Sequence, residues 1–301
     1  MSSRCRRTNA VSARSPRSLC PGKRVGGLGR CGTSDRLRFA AFVSLLTLVV
    51  SSSLAARELR VCADPDNLPY SNRARQGFEN RIAKLVAHDL GADVVYYWLP
   101  QWRGYARKTL QQQRCDVIPG IAQADDTVLA TDAYYRGTYA FVYSPARLPG
   151  LSSLDDERLR SLRIGVQVVG IDAIPTPAAR ALARRGIVAN VVGYPVMGET
   201  PSAARIVDAV AGGALDVGIV WSPQPGYFIA RRHLPLDVVP IRRDGDDPAF
   251  DFAIAMGVRR DNVALRDALN QSLAHLAPEI DAVLLDYAVT RVGSSGKRTE
   301  Q

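Results

Sequence analysis

The chain has 301 residues, with 39 Lys and Arg against 29 Asp and Glu and a formal charge of +10. The first 56 residues hold ten of those basic residues and a single acid, Asp35, which leaves the remainder near +1. A near-neutral body excludes the basic face that nucleic acid or an anionic membrane surface demands, so no nucleic-acid partner is expected.

Residues 1–56 read as a secretory signal peptide: a basic segment, the apolar run Phe39 to Val50, and small residues before Arg57. Cleavage is expected after Ala55 or Ala56. The basic segment is unusually long, which points to a start placed too far upstream. The apolar run is shorter than the ~20 residues of a membrane span, so none remains after cleavage. Export puts the protein in an oxidising compartment without Cys5, Cys20 and Cys31. The two cysteines left, Cys62 and Cys115, suggest one bridge.

The exported part opens with a strand at Leu59 to Ala63 and a turn-rich loop from Asp64 to Ser71. A helix follows from Gly77, with Phe78, Ile82, Leu85, Val86 and Leu90 at helical spacing and Gly91 as its stop. The spacing then predicts a strand around Val94 to Tyr97, a helix over Tyr105 to Gln113 and a strand from Arg114 to Gly120. Thr138 to Tyr143 is β-rich and reads as a first crossover. The rhythm restarts with strands at Leu162 to Val166, Val188 to Val192, Leu215 to Trp221 and Leu236 to Ile241. Helices begin at Thr176-Pro177, ending at Gly186, and at Thr200-Pro201, with Ile206, Val207 and Val210 inward. Phe250 to Val258 reads as the return crossover, followed by helices over Asn262 to Leu276 and Pro278 to Val289.

Both halves repeat strand, helix, strand, helix, strand. The expected architecture is α/β with two lobes, each a mostly parallel sheet flanked by helices, joined by a two-crossover hinge around a cleft. Lobe 1 takes 57–143 and 247–301, with 293–301 a disordered tail; lobe 2 takes 144–246.

Several strings sharpen this expectation: Leu59-Arg60-Val61-Cys62-Ala63-Asp64-Pro65, Gly77-Phe78-Glu79-Asn80-Arg81-Ile82-Ala83, Arg114-Cys115-Asp116-Val117, Tyr134-Tyr135-Arg136, Arg163-Ile164-Gly165-Val166-Gln167, Ala181 to Val188, and Arg205 to Val210. In this order they resemble the quinoprotein-dehydrogenase-associated proteins (MxaJ/XoxJ type) of the type II periplasmic solute-binding fold. The resemblance runs from about Leu59 to Arg291. It implies a non-enzymatic periplasmic accessory of a PQQ-dependent alcohol dehydrogenase, acting by activation, assembly or delivery. The implied partners are that dehydrogenase and its cytochrome c; the accessory itself is expected to be a monomer without a cofactor of its own. In this fold the strands carrying Cys62 and Cys115 are neighbours, so a disulfide between them is expected.

Related amino-acid binders grip the ligand α-carboxylate with an arginine upstream of the aromatic pair and pair its ammonium with an aspartate. Here the corresponding positions read Ala124-Asp125-Asp126-Thr127 and Trp221, so both halves of that clamp are missing. The expected cleft rim is Asp64, Asn67, Tyr70, Asp125, Asp126, Tyr134, Tyr135, Gln167 and Trp221, a set suited to a planar or apolar ligand or a protruding partner segment. Asp125 and Asp126 also admit use as a helix cap. Trp98, Trp102 and Tyr105 around Pro100 admit two readings, packing of the sheet edge or a partner-docking face.

No catalytic constellation is present: the sequence has no GxSxG, Walker A or HExxH string, and His88, His233 and His275 are too scattered for a metal site. Two further classes stay open. One is the solute-binding component of a transporter for a non-amino-acid, aromatic solute. The other is a periplasmic dehydratase on the same scaffold, which would need cations for substrate carboxylates.

Overall fold

A computed structural model describes residues 57–170, 173–196, 198, 200–244 and 249–289. The expected leader and the tail from Gly293 lie outside them. The first half begins with β1 (Arg57–Ala63), a short hairpin of β2 (Asp66–Asn67) and β3 (Ser71–Asn72), and α1 (Phe78–Asp89). β4 (Ala92–Trp98), α2 (Tyr105–Lys108), β5 (Val117–Ala122) and β6 (Leu129–Ala130) complete it. β4 and β5 flank β1 in parallel, with Val61 opposite both Tyr96 and Val117. Asn80 fixes the start of α1 by reaching back to accept from the Gly77 N–H at 3.1 Å, and Gly91 ends it at φ +64°. The helix buries Phe78, Ile82 and Val86 as their spacing predicts.

The second helix is shorter than its expected span of Tyr105 to Gln113. Thr109 leaves helical angles at φ −119°, ψ −81°, and Gln113 turns at φ +55°. This early break turns the chain so that Cys115 meets Cys62: the disulfide forms, with Cα atoms 5.5 Å apart.

β7 (Tyr135–Tyr143) leads through a 3₁₀ turn at Glu157–Arg160 into β8 (Ile164–Val169), β9 (Ile174–Pro175) and α3 (Pro177–Arg184). Thr176 caps α3 by accepting from the Ala179 N–H. Next come β10 (Val191–Pro195), α4 (Ser202–Ala211), β11 (Val217–Trp221), α5 (Pro225–Arg232) and β12 (Asp237–Pro240). β10 begins three residues later than expected, because Val188 is exposed and spent in a turn closed by the Val191 N–H. α5 has no counterpart among the expected elements. The chain closes with β13 (Asp251–Val258), α6 (Val263–His275) and α7 (Ala277–Asp286).

The strands order as β10-β8-β11-β7-β13-β5-β1-β4, with parallel pairing at both ends and antiparallel pairing in the middle. β7 pairs through Tyr135–Thr138 with β13 and through Ala140–Tyr143 with β11 and β12. β13 passes from β7 to β5. Two adjacent antiparallel strands therefore carry the chain across between two mostly parallel sheets.

The halves share a fastening. Arg60 forks onto Asp116 with N–O distances of 3.0 and 2.6 Å, and Arg163 forks onto Asp216 at 3.0 and 2.7 Å. In each, the aspartate also accepts the arginine's own backbone N–H and donates its backbone N–H in return. First strand and third strand are thus locked in register by the same device twice. The first core gathers Phe78, Ile82, Val117, Ile254, Leu269 and Leu284. The second sheet is covered on one face by Leu159, Leu182 and Phe141 and on the other by Ile206, Val207 and Phe228. Among the described residues, no helix is long and apolar enough to cross a membrane.

Candidate functional site

The residues expected at the cleft rim lie on the loops after β1 and β5, at the start of β7, within β8 and at the end of β11. Tyr70, on the loop after β1, is buried and packs on Phe78 at 5.2 Å between ring centroids. Phe78 also meets Tyr135 edge-on at 5.7 Å, and Tyr135 meets Tyr134 at 5.0 Å. The adjacent tyrosines diverge as strand geometry requires: Tyr135 is buried in the core, whereas Tyr134 is partly exposed and its hydroxyl accepts from the Gly120 N–H at 3.1 Å. Burial pushes the phenols of Tyr70, Tyr134 and Tyr135 well above their usual range, and the charge of Glu79 adds to the effect on each.

From the other half, Trp221 at the end of β11 reaches the crossover strands. Its ring lies 5.4 Å from Tyr139 and 5.7 Å from Phe252. Gly137 makes this possible, since a Cβ there would stand 2.3 Å from the indole. Gln167 is buried with its amide fully used: it accepts from the Trp221 N–H at 2.8 Å and donates to Ser202 and Gln224. The structure therefore places Gln167 behind Trp221, fixing the end of β11.

Other expected rim residues separate from this cluster. Asp64 is committed to the backbone N–H groups of Asp66 and Gln101, at 2.9 and 2.7 Å. Asn67 reaches Gln101 at 3.5 Å. Asp125 does not cap a helix: its Oδ1 accepts from the Thr127 N–H and hydroxyl, closing a turn, and Asp126 is exposed. The expected partner face also divides. Trp98 stacks on Tyr96 at 4.6 Å, Tyr105 packs around the disulfide, and Trp102 is 55% exposed.

Glu79 is the residue that the sequence reading missed. It is 4% exposed, and burial, with Asp64 acting second, pushes its carboxyl up to about 8. Its Oε1 lies against Gly120, at a point 1.9 Å from where a Cβ would stand, and Gly120 is at φ +71°. A signal for it existed: Glu79 precedes buried Ala83 and Val86 by four and seven residues, which puts an acid on the inward stripe of α1. Among the described residues, no group of three or more His, Cys, Asp or Glu side chains is placed to hold a metal ion.

No protein-family model matches the chain. It is 30% identical over 250 residues to Protein MoxJ of Methylorubrum extorquens AM1, covering 78% of this chain and 81% of that protein. It is 26% identical over 275 residues to Protein MoxJ of Paracoccus denitrificans, covering 85% and 96%. Among solved structures, the periplasmic binding protein XoxJ from Methylobacterium extorquens AM1 matches with a TM-score of 0.66 and 34% identity, over 78% of this chain and all of that one. MxaJ from Methlophaga aminisulfidivorans MPT matches in fold, with a TM-score of 0.65 and 24% identity over 77% and 99%. With two mostly parallel sheets, two crossovers and these relatives, the chain has the two-lobed type II periplasmic binding protein fold and belongs to the MoxJ family.

Proposed function

We propose that this chain is a periplasmic accessory of a PQQ-dependent alcohol dehydrogenase of the methanol-oxidation type, acting by binding rather than by catalysis. The reading rests on membership of the MoxJ family over 78% of the chain, joined to the dehydrogenase association that its sequence strings imply. Two features of the site favour it over a transporter for amino acids. In the correspondence that the resemblance implies, Trp221, packed on Tyr139, takes the place of a ligand aspartate, and the acidic turn Asp125 to Thr127 takes that of a carboxylate-gripping arginine. Trp102, exposed beside the cleft loop, is a ready anchor for a protein partner. In this reading the lobes are 57–143 with 247–301, and 144–246, and the leader is removed after Ala55 or Ala56.

The test is co-purification from the periplasm of the native host. The dehydrogenase should be retained with the wild-type protein, and deletion of the gene should lower PQQ-dependent alcohol oxidation. If no dehydrogenase is retained and oxidation is unchanged, the reading fails. Calorimetric screening of the common α-amino acids should show no affinity near the micromolar range, about −8 kcal/mol; a hit there would restore the transporter reading.

A further inference from the structure

The connection between β4 and β5 carries charge of one sign. Residues 94–115 hold Arg103, Arg107, Lys108 and Arg114 and no acid, a local surplus that the near-neutral total conceals. All four are exposed, and among the described residues none has an Asp or Glu carboxylate within ion-pair distance. Elsewhere Arg60, Arg163, Arg232 and Arg266 each meet an aspartate. Beside the four cations stands Trp102, the one exposed aromatic ring among the described residues. The connection is fastened at both ends. The Gln101 N–H donates to Asp64 at 2.7 Å, and Cys115 is bonded to Cys62. Between these points Leu110 is buried against both cysteines, and the N–H groups of Tyr105 and Arg114 close turns on the Trp102 and Thr109 carbonyls at 2.9 and 3.0 Å. Arg107 lies back over Gly104, its Nη2 3.2 Å from where a Cβ there would stand, and Arg114 lies 5.9 Å from the centre of the Tyr97 ring.

Four like charges on one short connection repel one another, and an acidic partner relieves that repulsion. An exposed indole among them supplies the apolar anchor that charge alone lacks, and a fastened backbone loses little freedom when it docks. We propose that Trp102, Arg103, Arg107, Lys108 and Arg114 form a docking face for an acidic protein surface, one that offers Asp and Glu carboxylates around a pocket for the indole. This rests on the accessory reading above and names the chemistry that the dehydrogenase must present to this loop. A protein surface fits better than an anionic bilayer. With a total near +1 the molecule has little long-range pull toward a charged sheet, whereas charges within about 8 Å, one Debye length, act fully on a docked partner.

Surface plasmon resonance with the exported protein and the PQQ-dependent alcohol dehydrogenase purified from its host tests the face. One variant combines Arg103→Glu with Lys108→Glu, two exposed positions on the loop. The control combines Lys84→Glu with Arg260→Glu, exposed positions on α1 and before α6 that change the net charge equally. Circular dichroism and melting temperature should match the wild type in both. The loop variant should bind the dehydrogenase at least about tenfold more weakly, chiefly through a slower association rate, and the control within about twofold of wild type. Raising sodium chloride from about 50 to about 300 mM should weaken the wild type about tenfold or more and the loop variant much less. Vesicles of roughly one-third phosphatidylglycerol in phosphatidylcholine should retain neither protein. If the wild type binds the dehydrogenase and the loop variant binds equally well, the docking face is wrong and the accessory reading stands. If the wild type does not bind it at all, both fail. Equal losses in loop variant and control would reduce the effect to net charge, and vesicle binding that the loop variant loses would assign the face to a membrane; either overturns the proposal.

Discussion

At the scale of single residues, Glu79 dominates the pH dependence. Its carboxyl titrates at about 8 in the folded protein and at about 4.5 when ordinary, so the folded state holds an extra proton between those values. Stability from this group is fully present below about pH 4.5 and falls as pH rises through about 8, by an amount on the order of a few kcal/mol. The melting temperature should therefore drop between pH 5 and pH 8.5 in the wild type, and Glu79→Gln should flatten that drop. Equal slopes in the two proteins would show that the carboxyl is solvated after all. The tryptophans divide by environment in the same way. Trp102 is 55% exposed, so Trp102→Ala should leave the melting temperature unchanged and weaken dehydrogenase association by about 1–2 kcal/mol, an ordinary anchor loss. Trp221 is packed between Tyr139, Phe252 and Gly137. Trp221→Ala should cost about 2–4 kcal/mol of stability, since the lost indole leaves a gap over the crossover strands. Denaturant unfolding of both variants separates an anchor from a structural wedge.

At the scale of elements, the Cys62–Cys115 bridge closes a span of 53 residues that holds α1, β4 and α2. In the chain-entropy account its loss costs about 4 kcal/mol, so Cys62→Ser with Cys115→Ser, or reduction, should lower the melting temperature sharply. No change on reduction would mean that the bridge forms only in part of the molecules. Most elements were legible because their apolar residues repeat at the period of the structure they adopt. Phe78, Ile82 and Val86 mark α1, and Leu269, Leu273 and Leu276 mark α6. The Arg60–Asp116 and Arg163–Asp216 forks were not legible, since nothing in the sequence announces that these side chains meet. Where reading failed, tertiary contacts had overruled local pattern. α2 stops at Lys108 because the chain must turn to deliver Cys115 to Cys62. α5 is eight residues long and begins Pro225-Gly226, a pair that reads as a loop until Tyr227 and Phe228 are seen packed on α4. In the cleft, residue type was legible and partner was not. Gln167 and Asp64 look like ligand contacts in sequence and turn out to hold backbone N–H groups.

At the scale of the whole molecule, the halves are joined by more than β7 and β13. Tyr287, just past α7, stacks on Tyr227 of α5 with centroids 5.6 Å apart and planes at 9°, while its other neighbours include Phe78 of α1 at 6.0 Å. Its hydroxyl donates to the Gln76 carbonyl, and Leu68 from the β1 loop packs into the cluster around Phe228 and Leu236. One tyrosine thus bridges the start of α1 and the second half, across the side where the two would part. If the two crossover strands act as a hinge, this clasp favours the arrangement in which the halves meet. Tyr287→Ala removes the stack and the hydroxyl contact but leaves both cores and both crossovers in place. It should raise the radius of gyration measured by small-angle scattering while far-ultraviolet circular dichroism stays unchanged. If the dehydrogenase meets the cleft face, the opened variant should also associate more tightly, because the closed form no longer competes. An unchanged radius of gyration would show that the crossover strands alone fix the angle between the halves, and the clasp would then be only packing.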